Sequence, residues 1–419
     1  MLYKHLSKTV KYCFIASCAL LPWNATAVNH GNLAQKDLVR QLGRSVIDSL
    51  LVKSLQEISQ GNTKQALNTI NQLINQVPNF KLAHLIRGDL LSSQGQALQA
   101  FGSPSPGVAP TPSLERIEGL REEARTRIEH YFSAEAPPET PSLLAKMDDS
   151  QNHLIVVDTL RSRLFLYKKT EQGLKYSADY YVTIGKNGAG KNVEGDKRTP
   201  LGLYFAGKQI KQPLDDFYGE GAYPLNYPNE LDQQENRTGK GIWLHGTPSD
   251  TYSRPPRASD GCVVLSNPDL RSLAPILENG NTPVIIVANE DWQDSKTRPN
   301  DIESSLMEEL QAWRKDWAAQ DTDAYLSHYS KQFFYSDGNL QRWADYKRSI
   351  QANKPKVSIE LENISMFSYP SNLETSDRQI VVVNFEQDFR SSSLQNKMRK
   401  RQYWVYENKT WKILYEGAA

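Results

Sequence analysis

The apolar residues of this chain change their spacing near residue 150. Up to that point they recur at intervals near three and four, as at Leu38, Leu42 and Ile47, which is the period of one helix face. Beyond it they come in short runs such as 154–157, bounded by turns, as expected of β-strands. A chain of 419 residues that carries both patterns in succession is predicted to fold as several domains.

Residues 32–135 are predicted to form a helical region with a Gly- and Pro-rich linker at 97–113. Within it, the stretch from Gly61 to Pro78 resembles the second helix of a tetratricopeptide-like repeat, and 83–95 begins another. So few repeats do not make a free-standing solenoid. An ordinary helical hairpin and a groove for a protein partner both stay open, as does a homodimer. One amphipathic helix is predicted over 114–132.

Residues 148–290 are predicted to form a mainly β domain. Its predicted strands are 153–158, 163–167, 180–184, 202–205, 242–244, 262–265 and 283–287. One helix is predicted over 268–278, with Asn267 as its N-cap and Pro268 in its first turn.

Residues 301–419 are predicted to form an α+β cone. A helix over 303–319 comes first, and the predicted strands are 356–368, 379–389, 401–407 and 410–416. The basic run from Lys397 to Arg401 is predicted to lie on a solvated hairpin edge. The formal net charge of +1 gives no sign of a nucleic-acid partner.

Residues 1–27 have the pattern of a secretory signal peptide. A basic start precedes an apolar run from Tyr12 to Trp23, and Ala25-Thr26-Ala27 supplies a small-x-small cleavage site. The run is too short to span a bilayer, and no later segment is apolar enough, so the mature chain is predicted to be periplasmic without a transmembrane segment. A lipoprotein signal ending at Cys18 is the alternative. It is disfavoured because the apolar run continues past that residue.

The mature chain keeps a single cysteine, Cys262, because Cys13 and Cys18 leave with the signal. A free thiol without a disulfide partner is unusual in an oxidising compartment. We therefore favour a reactive role for Cys262 over an inert position in the core. His245 precedes it in sequence and follows the apolar run 242–244, so a strand would hold its imidazole rigidly. An imidazole close to a thiol can take its proton and make it a nucleophile.

A glycine-rich segment from Gly185 to Lys191 has the spacing of a phosphate-binding loop. It lacks the hydroxyl residue after Lys191, and Gly195 and Pro200 interrupt any helix that would face a phosphate. A glycine-rich β-turn loop is therefore expected. The sequence predicts no metal site and no cofactor.

The residues around Cys262 resemble the YkuD-type L,D-transpeptidase catalytic domain. His245-Gly246, a loop over 247–258 and then Ser259-Asp260-Gly261-Cys262 match the family pattern of His-Gly followed by Ser/Thr-x-Gly-Cys. The stretches 185–187 and 194–202 match its "G-K … G-D … T-P-x-G" pattern. The resemblance spans about 150–290 and implies the YkuD fold.

The resemblance also implies roles for these residues. Cys262 would attack the meso-diaminopimelate carbonyl of a peptidoglycan stem peptide and release D-Ala, with His245 as general base and then acid. The Gly246 carbonyl would orient the imidazole, and the N–H groups of Gly261 and Cys262 would form the oxyanion hole. An amine on a second stem peptide would complete transpeptidation, whereas water would complete an L,D-carboxypeptidase reaction. Both acceptors stay open.

Two positions depart from the family pattern. Val264 stands where an Arg is frequent, so Arg254 and Arg257, in the preceding loop, are candidate substrate-binding residues, as is Ser259. A solvated loop position is the alternative for both arginines. Asp260 replaces a frequent His and is expected to point away from the thiol, whose pKa it would otherwise raise.

The C-terminal region resembles a SnoaL-like, nuclear-transport-factor-like cone, on the residues from Trp313 to Phe333 and from Trp411 to Glu416. The three regions together resemble the L,D-carboxypeptidases that set cell shape in Gram-negative bacteria. This implies a part in cell wall remodelling, with peptidoglycan stem peptides as substrates. A non-catalytic wall-binding scaffold remains the second alternative.

Overall fold

The computed structural model describes residues 46–94, 101–102, 111–133, 141–171, 173–289, 301–352, 356–370, 378–392 and 394–419. The predicted signal at 1–27 and most of the predicted linker at 97–113 lie outside these residues. The chain divides into two compact units, one up to Ala134 and one from Glu135 onward.

The first unit is helical, as predicted. Its helices are α1 (Val46–Ser59), α2 (Thr63–Gln76), α3 (Lys81–Ser92) and α4 (Thr111–Phe132). Apolar residues at helical spacing, such as Leu51, Ile70 and Ile86, are fully buried between them. Arg127 of α4 is also buried and forms ion pairs with Asp48 of α1 and Glu123. Burying this arginine is tolerable because both partners compensate its charge.

The second unit contains a five-stranded sheet. Its strands are β2 (His153–Asp158), β3 (Arg163–Thr170), β4 (Gly173–Tyr181), β6 (Gly202–Ala206) and β11 (Thr282–Val287). They are arranged in the order β4-β3-β2-β11-β6. In β2, Ile155 and Val157 lie on one face, and Leu154 and Val156 lie on the other. All four are fully buried, so both faces of this sheet are covered. This explains why the sequence of β2 is a continuous apolar run.

One face of the five-stranded sheet packs against the elements that carry the site. These are β7 (Ala222–Pro224), β8 (Trp243–His245), β10 (Val263–Val264) and the helix α6 (Asn267–Leu277). The three strands form a small sheet in which β8 is central, antiparallel to β7 and parallel to β10. Beside it, β5 (Ile184–Gly185) pairs with β9 (Arg257–Ser259). A short helix, α5 (Glu230–Gln234), precedes β8.

The other face packs against the C-terminal α+β region, which confirms the predicted fold class. Its helices are α7 (Asp301–Ala319), α8 (Thr322–Ser327) and α9 (Leu340–Gln351). Its strands are β12 (Tyr329–Tyr335), β13 (Gly338–Asn339), β14 (Ser358–Ser368), β15 (Ile380–Arg390), β16 (Gln395–Glu407) and β17 (Thr410–Ala418). An aromatic core that includes Trp313, Tyr325 and Trp404 lies between the helices and the sheet.

The C-terminal sheet has seven strands, and one of them comes from before the catalytic region. Strand β1 (Leu144–Lys146) pairs antiparallel with β14 at one end of the order β1-β14-β15-β16-β17-β12-β13. Apolar residues of both regions then form one shared cluster, which includes Val156, Phe205, Phe367 and Tyr403. The two regions are therefore joined through a common core.

Polar contacts complete the junction between the two regions. Glu230 of α5 accepts hydrogen bonds from the Tyr403 hydroxyl, at 2.8 Å, and from Arg401, at 3.4 Å. The Arg401 guanidinium also lies over the Phe205 ring, 4.2 Å from its centroid. Asn229 donates to the Tyr369 hydroxyl at 3.1 Å.

Three local predictions were wrong. The run from Lys397 to Arg401 lies in β16, where Lys397 is exposed as predicted, but its last two residues lie opposite β17 and are buried against Glu416 and Glu230. The predicted strand 180–184 is broken, because the chain leaves β4 at Tyr181 and starts β5 at Ile184. Helix α6 is capped by Ser266, which accepts from the Asp269 N–H, and not by Asn267.

No helix in the parts of the chain described above combines the length and the apolar character needed to cross a bilayer.

The shared cluster predicts how a core substitution affects stability. Phe367 is fully buried where the two regions meet, so Phe367→Ala should lower the free energy of unfolding by about 3–5 kcal/mol. Urea denaturation followed by tryptophan fluorescence measures this change. As a control, Leu160→Ala removes a side chain that is 64% exposed and should change stability by less than about 0.5 kcal/mol. Equal losses in the two variants would contradict the shared core.

Candidate active site

His245 ends strand β8, and Cys262 immediately precedes β10, the parallel strand beside it. The register pairs Val263 with Leu244 and Val264 with His245, so the cysteine precedes β10 beside the strand that ends at the histidine. The Cys262 side chain is partly exposed, and its thiol donates to the Gly241 carbonyl at 3.3 Å. The Gly241 carbonyl therefore fixes the direction of a partly exposed thiol.

The tautomer of His245 follows from one hydrogen bond. Its Nδ1 lies 2.7 Å from the Gly246 carbonyl oxygen. A carbonyl oxygen can only accept, so Nδ1 carries the hydrogen and Nε2 of the neutral ring keeps its lone pair. Nε2 is thus the nitrogen that can take a proton.

The position of Gly246 requires a glycine. A Cβ atom at this residue would lie 2.1 Å from Asn267 Oδ1, which leaves no room for a side chain. The Asn267 side chain accepts from the Glu220 N–H, at 3.1 Å, and donates to the Thr247 carbonyl, at 2.9 Å. Asn267 therefore links the segments on either side of the carbonyl that orients His245. Its assignment as a helix cap obscured this role in the sequence.

An aromatic turn covers His245, which is only 1% exposed. The Phe217 and Tyr218 rings lie 5.9 and 5.2 Å from the imidazole, centroid to centroid. This turn is tied to the loop that follows β8, because the Asp216 carboxylate accepts from the Ser249 N–H at 3.2 Å. The imidazole is thereby removed from water.

Burial sets the protonation of both groups. Desolvation lowers the pKa of His245 to about 4, against the raising effect of the Gly246 carbonyl, and the positive charge of Arg254 lowers it further. Desolvation likewise raises the pKa of the Cys262 thiol above its ordinary value, although the Trp243 N–H opposes this. Asp260 adds to the rise, even though its exposed carboxylate pairs with Lys186. At neutral pH the pair is therefore a neutral thiol and a neutral imidazole.

The loop before the cysteine is held by the Ser259 hydroxyl. This hydroxyl donates to the Cys262 carbonyl at 2.7 Å and accepts from the Gly261 N–H at 3.1 Å. Ser259 is 2% exposed, so its geometry favours holding the loop over contacting a substrate. Of the two predicted oxyanion donors, the Gly261 N–H is thus engaged inside the loop. No described residue accepts from the Cys262 N–H.

The glycine-rich segment from Gly185 to Lys191, which has the spacing of a phosphate-binding loop, lies beside the loop that precedes Cys262. The Lys186 N–H donates to the Ser259 carbonyl at 2.8 Å. The Lys191 ammonium and the Asp196 carboxylate pair at 2.8 Å, and Asp196 also accepts from the N–H groups of Asn192 and Arg198. The segment continues into β6 instead of a helix. It does bring Thr199 to the site, a residue to which the sequence analysis gave no role. Its only sequence signal was the T-P-x-G stretch.

Comparison with protein-family models matches residues 152–286 to the YkuD L,D-transpeptidase catalytic domain. The chain contains a YkuD catalytic domain. Residues 305–417 match the Cds6 C-terminal NTF2-like domain, so both regional resemblances are confirmed. A comparison with curated proteins finds no match.

Two proteins of known structure match this chain over 67% of its length, and the first of them has the same domain architecture. The helical cell shape determining protein Pgp2 from Campylobacter jejuni is 28% identical, with a TM-score of 0.57 over 67% of this chain and 96% of that chain. Bd1075 from Bdellovibrio bacteriovorus is 26% identical, with a TM-score of 0.56 over 67% of this chain and 98% of that chain.

The two candidate arginines of the YkuD domain have different surroundings. Arg254 is partly buried, with its guanidinium 4.9 Å from the centroid of the Phe217 ring and one nitrogen donating to the Ala258 carbonyl. Its Nη1 is buried and has no hydrogen-bond partner within the described part of the chain. Arg257, by contrast, is exposed.

The positions that depart from the family pattern are also placed. Val264 is 1% exposed, and its backbone bonds to Thr183 in both directions at 2.9 Å, so its side chain belongs to the core. Asp260 is exposed, as expected, but its carboxylate still raises the pKa of the Cys262 thiol. Over the described residues, no group of three or more His, Cys, Asp or Glu side chains is arranged to hold a metal ion.

The raised pKa of Cys262 predicts the pH dependence of its alkylation. Only the thiolate reacts with iodoacetamide, so the rate should keep rising with pH from 6 to beyond 8, without a plateau. His245 protonates only near pH 4, so it adds no step in this range. Intact-mass time courses on the mature protein measure the rate, with Cys262→Ala as the unreactive control. A plateau below pH 7 would instead indicate a thiolate–imidazolium pair.

Proposed function

We propose that this protein is a peptidoglycan L,D-transpeptidase-family enzyme that acts on stem peptides at the bond between meso-diaminopimelate and D-Ala. The observation that carries the proposal is the tautomer of His245. Its Nδ1 is committed to Gly246, so Nε2 is available as a base on the strand beside Cys262. The match of residues 152–286 to the YkuD domain supports the substrate class.

The neutral ground state suits general-base catalysis. As the Cys262 sulfur bonds to the substrate carbonyl carbon, Nε2 of His245 takes the thiol proton, and negative charge develops on the carbonyl oxygen. The Cys262 N–H would donate to that oxygen. When the intermediate collapses, the C–N bond breaks and the imidazolium gives its proton to the leaving D-Ala amine. The low pKa of His245 favours that transfer.

The thioester on Cys262 is then resolved by an acceptor. An amine on a second stem peptide would form a cross-link, which is the transpeptidase reaction that we propose. Water would give the trimmed tripeptide of an L,D-carboxypeptidase, which is the alternative. In either case His245 takes a proton from the acceptor as it attacks.

Arg254 is proposed to bind a carboxylate of the stem peptide. Its unpartnered Nη1 has the chemistry to donate to an anionic oxygen, and its charge acts on both His245 and Cys262. Stacking on Phe217 fixes the guanidinium plane. A substrate carboxylate would supply the missing hydrogen bond and neutralise a charge that opposes imidazolium formation.

The relatives support a role in cell wall remodelling and cell shape. Pgp2 is described as a helical cell shape determining protein, and its whole length matches the architecture of this chain. We propose that this protein likewise shapes the cell wall, from the periplasm. Export would depend on the signal pattern of residues 1–27.

Purified protein incubated with muropeptides tests the activity. Loss of D-Ala from tetrapeptides with new 3–3 cross-links is the expected result, whereas loss of D-Ala alone would identify the carboxypeptidase. Cys262→Ala should abolish either reaction, and His245→Gln should slow it by about 10²–10⁴-fold. Full activity of Cys262→Ala would overturn the assignment. An inactive wild-type protein that still binds muropeptides would favour the scaffold.

The two arginines provide a matched pair for testing substrate binding. Arg254→Met removes the partly buried guanidinium and should raise the KM for tetrapeptide by about 10-fold or more, because a charged hydrogen bond is lost. Arg257→Met removes an exposed guanidinium from the same loop and should leave KM nearly unchanged. Steady-state release of D-Ala measures both. Equal effects would contradict a specific role for Arg254.

A further inference from the structure

Thr199 joins the glycine-rich segment to the loop that carries the nucleophile. Its side chain is fully buried, and its hydroxyl accepts from the Gly185 N–H at 2.9 Å. The same hydroxyl donates to the Gly261 carbonyl at 3.0 Å. Both hydrogen-bonding directions of this hydroxyl are therefore used, and one of them ends on the residue before Cys262.

The backbone around Thr199 is packed against two glycines. A Cβ atom at Gly185 would lie 2.3 Å from the Lys197 carbonyl oxygen, and one at Gly261 would lie 2.8 Å from the Arg198 carbonyl oxygen. Gly261 also has a φ of +129°, which side-chain-bearing residues rarely adopt. The absence of side chains at 185 and 261 is thus what brings the Thr199 hydroxyl within reach of both.

The Gly261 carbonyl controls the direction of the Cys262 N–H. The two groups belong to one trans peptide unit, so they point in opposite directions. Thr199 holds the carbonyl toward the interior, and the Cys262 N–H consequently points away from Thr199. The Ser259 hydroxyl already accepts a hydrogen bond from the Gly261 N–H. The Cys262 N–H is therefore the donor that stays available to a substrate oxygen.

A glycine in the preceding position makes this orientation easy to lose. A rotation of the peptide unit between Gly261 and Cys262 changes ψ of Gly261 and φ of Cys262, and a glycine, which has no Cβ atom, restricts its own ψ least. A rotation would turn the N–H away and present a carbonyl oxygen in its place. The hydrogen bond from Thr199 opposes that rotation.

We propose that Thr199 is a positioning residue that fixes the Gly261–Cys262 peptide unit in the orientation that stabilises the oxyanion. The inference rests on the proposed acylation of Cys262. It predicts a defect in carbonyl addition without a defect in the reactivity of the thiol itself, because alkylation by iodoacetamide develops no oxyanion.

Two reactions of Cys262 in the mature protein test the proposal. Acylation by a stem tetrapeptide and alkylation by iodoacetamide are followed by intact mass in Thr199→Val, which keeps the shape of the side chain and loses its hydroxyl. Acylation should fall by about 10²-fold, in the range seen when an oxyanion donor is removed. Alkylation should stay at the wild-type rate. Thr199→Ser keeps the hydroxyl and should restore most of the acylation.

A matched control separates positioning from general stability. Thr282→Val removes another buried threonine hydroxyl of the same domain, which donates to the Ile276 carbonyl at 2.8 Å in a different place. It should unfold at a temperature similar to that of Thr199→Val and acylate normally. Acylation of Thr199→Val at the wild-type rate, or an equal fall in both reactions, would overturn the proposal. A wild-type protein that is alkylated but never acylated would overturn the proposed function, and this inference with it.

Discussion

The hydrogen bond from His245 Nδ1 to the Gly246 carbonyl determines what the site can do. Without it either ring nitrogen could carry the hydrogen, and the base beside Cys262 would be present only part of the time. The bond uses the residue next in sequence, so no further side chain is needed to orient the imidazole. The bond depends on the size of residue 246, because the carbonyl can point at Nδ1 only if Gly246 has no side chain beside Asn267.

Electrostatics and packing act together at this centre. The aromatic turn that buries His245 lowers its pKa, and burial of the thiol raises that of Cys262. Both effects disfavour charge, so the resting pair avoids the cost of a desolvated ion pair. In the proposed reaction charge forms only on attack, where the Cys262 N–H is the backbone donor that Ser259 leaves available.

Features determined by local sequence could be predicted, and features determined by distant partners could not. The strand at 153–158 was predictable because both of its faces are apolar. The burial of Lys400 and Arg401 was not, because it depends on Glu416 and Glu230, which lie elsewhere in the sequence. Local charge density indicated an exposed edge, whereas tertiary pairing placed the run in the middle of a sheet.

The candidate site shows the same division. His245 and Cys262 could be identified from a motif, because the apolar run before His245 and the glycines beside both residues can be read from the neighbouring sequence. Arg254 and Arg257 could not be separated, because their different exposure depends on where the Phe217 ring lies. Asn267 was misassigned since its neighbour Ser266 caps the helix equally well by residue type. Side chains that join two loops leave no periodic signal.

Strand β1 has a consequence for how the molecule can be divided. Because β1 lies before the catalytic region and pairs with β14 after it, the YkuD domain is inserted between the first strand of the C-terminal sheet and the rest of that sheet. This sheet can therefore close only after the whole YkuD domain has been synthesised. A chain cut after residue 290 would leave one strand without its neighbour and one apolar face of the catalytic sheet open to water. Sequence changes in the YkuD domain and sequence changes in the NTF2-like domain thus act on one shared core.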